Sequence, residues 1–215
     1  MGAQLNNVTS LSSPNIAWLG LAEYRQTFDA MRAHNRAMTE STPDEIWLLE
    51  HPPVFTLGLA GKPEHVLNAG DIPVVKIDRG GQVTYHGPGQ LVAYLLLNLR
   101  NKRYGVKELV RRIEQSIIDL LQEYGVSAER RAGMPGVYVT PSLAKIAAIG
   151  LRVSNHATYH GLSLNVNMDT APFSRINPCG YEGLATAQLA DFGVRDNVAS
   201  VGEKLARHLK ANLYV

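Results

Sequence analysis

The chain has 215 residues, of which 45% are hydrophobic and 19% charged, with a net charge of +2 and one cysteine. At this length one or two domains fit, and a single domain would bury roughly 70% of its unfolded surface. An internal disulfide is excluded, no apolar run reaches the ~18 residues of a membrane span, and the near-neutral charge without an aromatic platform motif gives no support for nucleic-acid binding. A soluble protein of a reducing compartment, the cytoplasm, is expected.

Residues 1–14 have no basic stretch followed by an apolar one and are predicted to be a flexible leader rather than a signal peptide. Residues 15–20 (NIAWLG) predict a strand, and Leu21, Tyr24, Phe28, Met31 and Met38 fall near helical spacing. Pro43 and Asp44 end that helix. Residues 45–50 (EIWLLE) predict a strand that stops at His51-Pro52-Pro53, where the proline pair forces an extended exit. A short apolar piece follows at 54–57, and residues 62–67 predict a short helix under Pro63. His51 is either a hydrogen-bonded structural histidine or part of a pocket wall.

Residues 79–90 (RGGQVTYHGPGQ) hold four glycines in twelve residues, between apolar stretches at 72–78 and 91–99. The pattern predicts strand, glycine-rich connection, strand. Without Cβ atoms the backbone can approach a ligand and offer bare N–H groups. Arg79 supplies a fixed cation there and His86 a titratable ring.

Val106, Leu109, Val110, Ile113, Ile117, Leu120, Leu121 and Tyr124 make one apolar stripe that stops at Gly125, predicting a helix. Arg100, Lys102, Arg103, Lys107, Arg111 and Arg112 crowd its N-terminal end. Cations there oppose the helix dipole, so either a docking surface for an acidic partner or an ordinary solvated face is expected. Short strands follow at 126–131, 136–140, 143–153 and 158–168, with residues 133–136 as a turn. A closing helix is predicted over 197–213.

Two features of the second half point to chemistry. Alternation along 143–153 (LAKIAAIGLRV) puts Lys145 on one face with Leu143, Ala147, Ile149 and Leu151, while the other face is apolar too. A lysine in so buried a strand must snorkel, pair with an anion or lose its proton. In the next strand His160, Leu162, Leu164 and Val166 alternate with Gly161, Ser163, Asn165 and Asn167, whose small polar side chains suit a cavity wall. The lone Cys179 sits between Pro178 and Gly180 in FSRINPCGYEG, a turn that can present a thiol to a cavity. A nucleophilic thiol must be a thiolate, and Lys145, His86 or His160 could lower its pKa.

These patterns predict an α/β protein with a mixed or largely antiparallel sheet, because most connections are too short for helical crossovers. Seven scattered histidines and one cysteine show no metal-ligand spacing. No phosphate-binding loop motif follows the glycines.

The segments EIWLLEHPPVFTLG and GKPEHVL, the loop RGGQVTYHGPGQLVAYLLLNL, AKIAAIGLRV, HGLSLNVNMD and FSRINPCGYEG, in this order, closely resemble the lipoyl(octanoyl) transferase family over residues 17–209. The resemblance implies one α/β domain over 15–215, a sandwich of a mixed β-sheet with packed helices similar to the catalytic domain of biotin and lipoate protein ligases. It implies octanoyl transfer from octanoyl-acyl carrier protein to a lysine of apo lipoyl domains, such as those of 2-oxoacid dehydrogenase and glycine cleavage complexes, through a thioester on the enzyme. Cys179 matches the family's nucleophile and Lys145 the residue that lowers its pKa. Arg79, Gly80, Gly81, Gln82, Val83, Thr84, Tyr85 and His86, with Ala148, Ile149, Gly150, Gly161, Leu162 and Ser163, match substrate-contacting positions. Thioester-to-amide transfer runs downhill, so no cofactor or metal is implied, and a monomer is the expected state. An ATP-dependent lipoate or biotin ligase and a non-catalytic acyl or carrier-protein binder are the alternatives. Cysteine chemistry separates the first of these from transfer, and turnover separates the second.

Overall fold

The computed structural model describes residues 13–102, 104–177 and 183–214. Most of the leader at 1–14, and Cys179 within 178–182, lie outside the described residues, as does Arg103.

Among the described residues, seven strands form the main sheet: β1 (Asn15–Leu21), β2 (Glu45–Glu50), β6 (Gln90–Leu96), β7 (Ala128–Arg131), β8 (Met134–Val139), β9 (Lys145–Ser154) and β10 (Ala157–Asn165). Their spatial order is β1-β2-β6-β10-β9-β8-β7, with β1 and β2 parallel and the other pairs antiparallel. A second sheet, with β3 (Val54–Leu57) between β4 (Val74–Lys76) and β5 (Val83–His86), was not expected as a separate layer.

Both faces of the main sheet are covered, which explains the unbroken apolar run in β6. Leu91, Ala93 and Leu95 pack toward α2 (Val106–Glu123) and α3 (Val198–Leu213), together with Ile113, Ile117, Leu205 and Leu209. Val92, Tyr94 and Leu96 face the other way, toward α1 (Tyr24–Ala37) with Phe28 and Met31, and toward Val54 of the small sheet. The helix stripe ends at Gly125, in the left-handed region at φ 74°, and Asn197 caps α3 by accepting from Ser200 N–H at 2.9 Å.

Three local expectations need correction. The glycine-rich segment is not one loop, because 83–86 pair with β3 as a strand and only 79–82 and 87–89 connect. The predicted turn at 133–136 is shorter, since Met134 already pairs with Arg131. The expected helix at 62–67 is a single 3-10 turn, Pro63–His65.

Candidate active site

The cavity lies between the open end of the small sheet and the faces of β9 and β10. It holds about 60 Å³, and a second space of about 20 Å³ adjoins it, sharing Thr84, Lys145, Ala148 and Ser163. Arg79, Gly80, Gly81, Gln82, Val83, Thr84 and His86 form one wall, and Ala148, Ile149, Gly150, Gly161, Leu162 and Ser163 another. Tyr85 is not in it. Strand alternation turns that ring into a separate cluster, 5.5 Å from Phe55 and 5.5 Å from Phe173.

Two departures from strand regularity set the cavity's chemistry. Between β8 and β9 the register shifts, with Val137 opposite Ala147 but Tyr138 opposite Lys145, so Ile146 is an extra residue. Such a bulge breaks the period of two. Ile146 and Ala147 therefore both reach the core toward the helices, and Lys145 does not share the face of Ala147, Ile149 and Leu151 that simple alternation assigned to it. Lys145 is buried, with its Nζ 5.3 Å from the Tyr138 ring centroid. A Cβ on Gly136 would lie 2.7 Å from Lys145 Cε, so the lysine stem crosses a place that only glycine leaves open.

The second departure is His160, whose φ of 60° takes it out of phase with Leu162 and Leu164. Its ring stacks 5.4 Å from Phe28 and its Nε2–H donates to Asp78 at 3.0 Å. Next to it, Gly161 lies so close to β6 that a Cβ would strike the Ala93 carbonyl. Sequence alternation therefore misplaced His160 but placed Gly161 and Ser163 on the cavity side.

Polar groups here are anchored in detail. Arg79 is buried and donates to the Thr56 carbonyl at 2.8 Å, to Thr56 Oγ1 at 3.0 Å and to the Gly80 carbonyl at 2.9 Å. The Gly80 N–H is not bare as expected, since it donates to the Leu151 carbonyl at 3.0 Å. His51 proves internal: its Nδ1–H donates to the Ala22 carbonyl at 2.6 Å, which leaves Nε2 to accept from the Tyr94 hydroxyl at 2.7 Å. His86 Nδ1 meets Gln90 Oε1 at 2.7 Å.

Burial pushes all three rings below the usual imidazole range, His51 to about 4, His86 to about 3 and His160 to about 4, and the nearby Arg79 charge adds to this at His86 and His160. They are neutral near pH 7. Burial would raise Asp78, but hydrogen bonds from Tyr159 and His160 outweigh it and hold the carboxyl below its ordinary value. The space is thus a largely apolar slot edged by Lys145, Arg79 and neutral imidazoles. Among the described residues, no three His, Cys, Asp or Glu side chains group as a metal site would require.

Tyr24, Val92, Tyr94 and His160 also line the cavity. Tyr24 and Tyr94 were hidden as members of apolar stripes, and the one available signal was a polar tip in each. Phe173 and Thr186, on either side of Cys179 in sequence, line the adjoining space with Lys145.

The lipoyl protein ligase A/B catalytic-domain family matches residues 23–212. The chain belongs to that family. Curated relatives include the octanoyltransferase of Laribacter hongkongensis, 58% identical over 93% of this chain and 95% of the relative. That of Aromatoleum aromaticum is 62% identical over 89% and 82%. Among solved structures, a bipartite lipoate protein ligase from Thermoplasma acidophilum superposes with a TM-score of 0.78 at 16% identity, covering 94% of this chain and 84% of that one. Biotin protein ligase from Aquifex aeolicus gives 0.57 at 14%, over 94% and 69%. The last two establish the common fold, a mixed sheet with packed helices, as the sequence resemblance implied.

The basic stretch near α2 is less free than expected. Lys102 is buried against Asp44, 2.9 Å away, and Arg112 bonds Glu108 at 2.9 Å and the Asn212 carbonyl at 2.7 Å. Arg111 stays at the surface, paired with the same Glu108 at 2.8 Å.

Proposed function

We infer that the chain is an octanoyltransferase of lipoate biosynthesis, and we propose that it works through a thioester on Cys179, activated by Lys145. The proposed donor is octanoyl-acyl carrier protein and the acceptor a lysine of an apo lipoyl domain. One observation carries the residue assignment. Lys145 N–H donates to the Ala185 carbonyl at 2.8 Å and its own carbonyl accepts from Ala187 N–H at 3.0 Å, which ties the chain just after Cys179 to the strand that presents the lysine. Two residues before Cys179, Asn177 N–H is anchored on the His65 carbonyl at 2.9 Å. Phe173 and Thr186, which precede and follow Cys179 in sequence, share the adjoining space with Lys145.

In the first step the thiolate attacks the acyl carbon of the donor; the new C–S bond forms, the old one breaks, and the carrier leaves as its thiol with one proton. In the second, the acceptor amine attacks the enzyme thioester, a C–N bond forms, and the departing sulfur ends with the proton that nitrogen loses. Lys145 favours the thiolate by its charge or by taking the thiol proton. The apolar slot between Val92, Ile149 and Leu162 suits an unbranched acyl chain. A free thiol requires a reducing compartment, consistent with the cytoplasm, and one chain supplies every residue named, consistent with action as a monomer.

The test is the intact mass of the protein after incubation with octanoyl-acyl carrier protein without ATP, beside Cys179→Ala. A hydroxylamine-sensitive octanoyl adduct on the wild type alone, chased off by apo lipoyl domain, is the expected result. Acylation of the lipoyl domain only from free octanoate and ATP would replace the proposal with a ligase reaction.

A further inference from the structure

A directed chain of buried hydrogen bonds runs through three elements to the cavity wall. The Ala187 carbonyl accepts from Asn165 Nδ2 at 2.9 Å. Asn165 Oδ1 accepts from Gln90 Nε2 at 3.0 Å, and the same amide donates to the Tyr85 carbonyl at 3.2 Å. Gln90 Oε1 then faces His86 Nδ1 at 2.7 Å.

Backbone carbonyls only accept, so they settle both amide orientations. Asn165 must point its NH2 at Ala187, which turns its oxygen to Gln90. Gln90 must then present NH2 to Asn165 and Tyr85, which turns its oxygen to His86. A carboxamide oxygen cannot donate, so His86 Nδ1 carries the hydrogen. In a neutral ring Nε2 is then a bare acceptor, on a side chain that lines the cavity. Gln90 and Asn165 are 1% and 5% exposed, so water does not easily substitute for either partner.

We propose that His86 Nε2 accepts a hydrogen bond from the acceptor lysine's neutral amine in the second half-reaction, and that Gln90 and Asn165 are positioning residues that hold the ring in the required tautomer. This rests on the acyl-enzyme reading above. With one N–H held by Nε2, the nitrogen lone pair is turned toward the thioester carbon; the C–N bond forms, the C–S bond breaks, and the proton lost by nitrogen passes to the sulfur. A ring that stays neutral also does not repel an amine arriving beside Arg79 as an imidazolium would. The anchor of the chain is economical: Ala187 accepts from Asn165 through its carbonyl and donates to Lys145 through its N–H, so the orientations of the lysine strand and of the imidazole share one residue.

The experiment separates the half-reactions by rapid quench, with acyl-enzyme formation from octanoyl-acyl carrier protein in one arm and its discharge by apo lipoyl domain in the other. His86→Ala and Gln90→Met should slow the second rate about 10–100-fold more than the first. Equal slowing of both arms, or of neither, overturns the proposal, whereas absence of any acyl-enzyme on the wild type would instead overturn the reading beneath it. Should Gln90→Met not fold, 15N NMR of the histidine rings in the wild-type protein decides. Protonated Nδ1 and bare Nε2 on His86 at pH 7 are expected, and the opposite tautomer refutes the chain.

Discussion

Acidification should unfold this protein through three buried histidines, two of which line the cavity. His51, His86 and His160 are held at about 4, 3 and 4 when folded, against an ordinary value of about 6.5 for an exposed imidazole. With folded values depressed, the unfolded chain binds more protons through this window, so stability falls as pH falls. The histidine contribution is fully present above about pH 6.5 and is lost progressively toward pH 4. At pH 5 an unfolded imidazole is almost fully protonated and a folded one almost not at all, which costs about 2 kcal/mol per ring. Three rings together reach about 6 kcal/mol, comparable with the entire stability of many domains. His51 and His86 do not both charge in place, because they lie 5.9 Å apart and a first imidazolium opposes the next. Guanidinium denaturation at pH 8, 7, 6 and 5 should show the unfolding free energy dropping steeply below pH 7, and His160→Gln should remove about a third of the drop. A midpoint that stays level from pH 8 to 5 would refute the claim that these rings are buried and neutral.

Other consequences concern single residues. Lys102→Met leaves Asp44 with the Asn98 N–H at 2.6 Å and the Tyr214 hydroxyl at 2.6 Å but no cation, and should cost about 3 kcal/mol, or roughly 6–12 °C in thermal melts. A melt unchanged from wild type would mean that Lys102 belongs to the surface after all. Gly161→Ala drives a Cβ into the Ala93 carbonyl in the middle of the sheet and should destabilise by at least about 3 kcal/mol. Gly202→Ala, whose Cβ would meet Leu91 Cδ1 at 3.3 Å, should be neutral or stabilise by up to ~1 kcal/mol through helix propensity. Circular dichroism melts of the pair check both, and equal effects would contradict the packing described. Arg111→Glu should raise the KM for the proposed donor, octanoyl-acyl carrier protein, without moving the Tm, whereas the same change at Arg112 should lower the Tm because its side chain also bonds the Asn212 carbonyl. An unaltered KM for Arg111→Glu would end the docking role of this face.

The helices and most strands were legible because their stripes are long and their breaks are chemically explicit. β2 and β3 begin and end where predicted, bounded by Asp44, the Pro52-Pro53 pair and Gly58, and α2 stops at its glycine. The glycine loop was harder, since Val83 to His86 is a short piece whose pairing with β3 is nonlocal and leaves little local signal. Lys145 was noticed because a cation in an apolar strand is costly anywhere. Its direction was misread, because one inserted residue reverses alternation and nothing local announces a bulge. His160 was misread for a related reason, a left-handed backbone angle at a residue that is not glycine.

By itself the sequence determined the class of fold, the apolar faces, the family resemblance and the unusual positions of Lys145 and Cys179, because these follow from local composition and period. The tertiary structure decided what the cavity is made of. Tyr85 leaves it, Tyr24 and Tyr94 enter it, Lys102 withdraws from the surface, and three histidines lose their charge. Those outcomes depend on which distant strands cover each side chain and on the carbonyls that meet it. Burial and hydrogen-bond direction are set by neighbours far apart in the chain, and only the packed sheets bring them together.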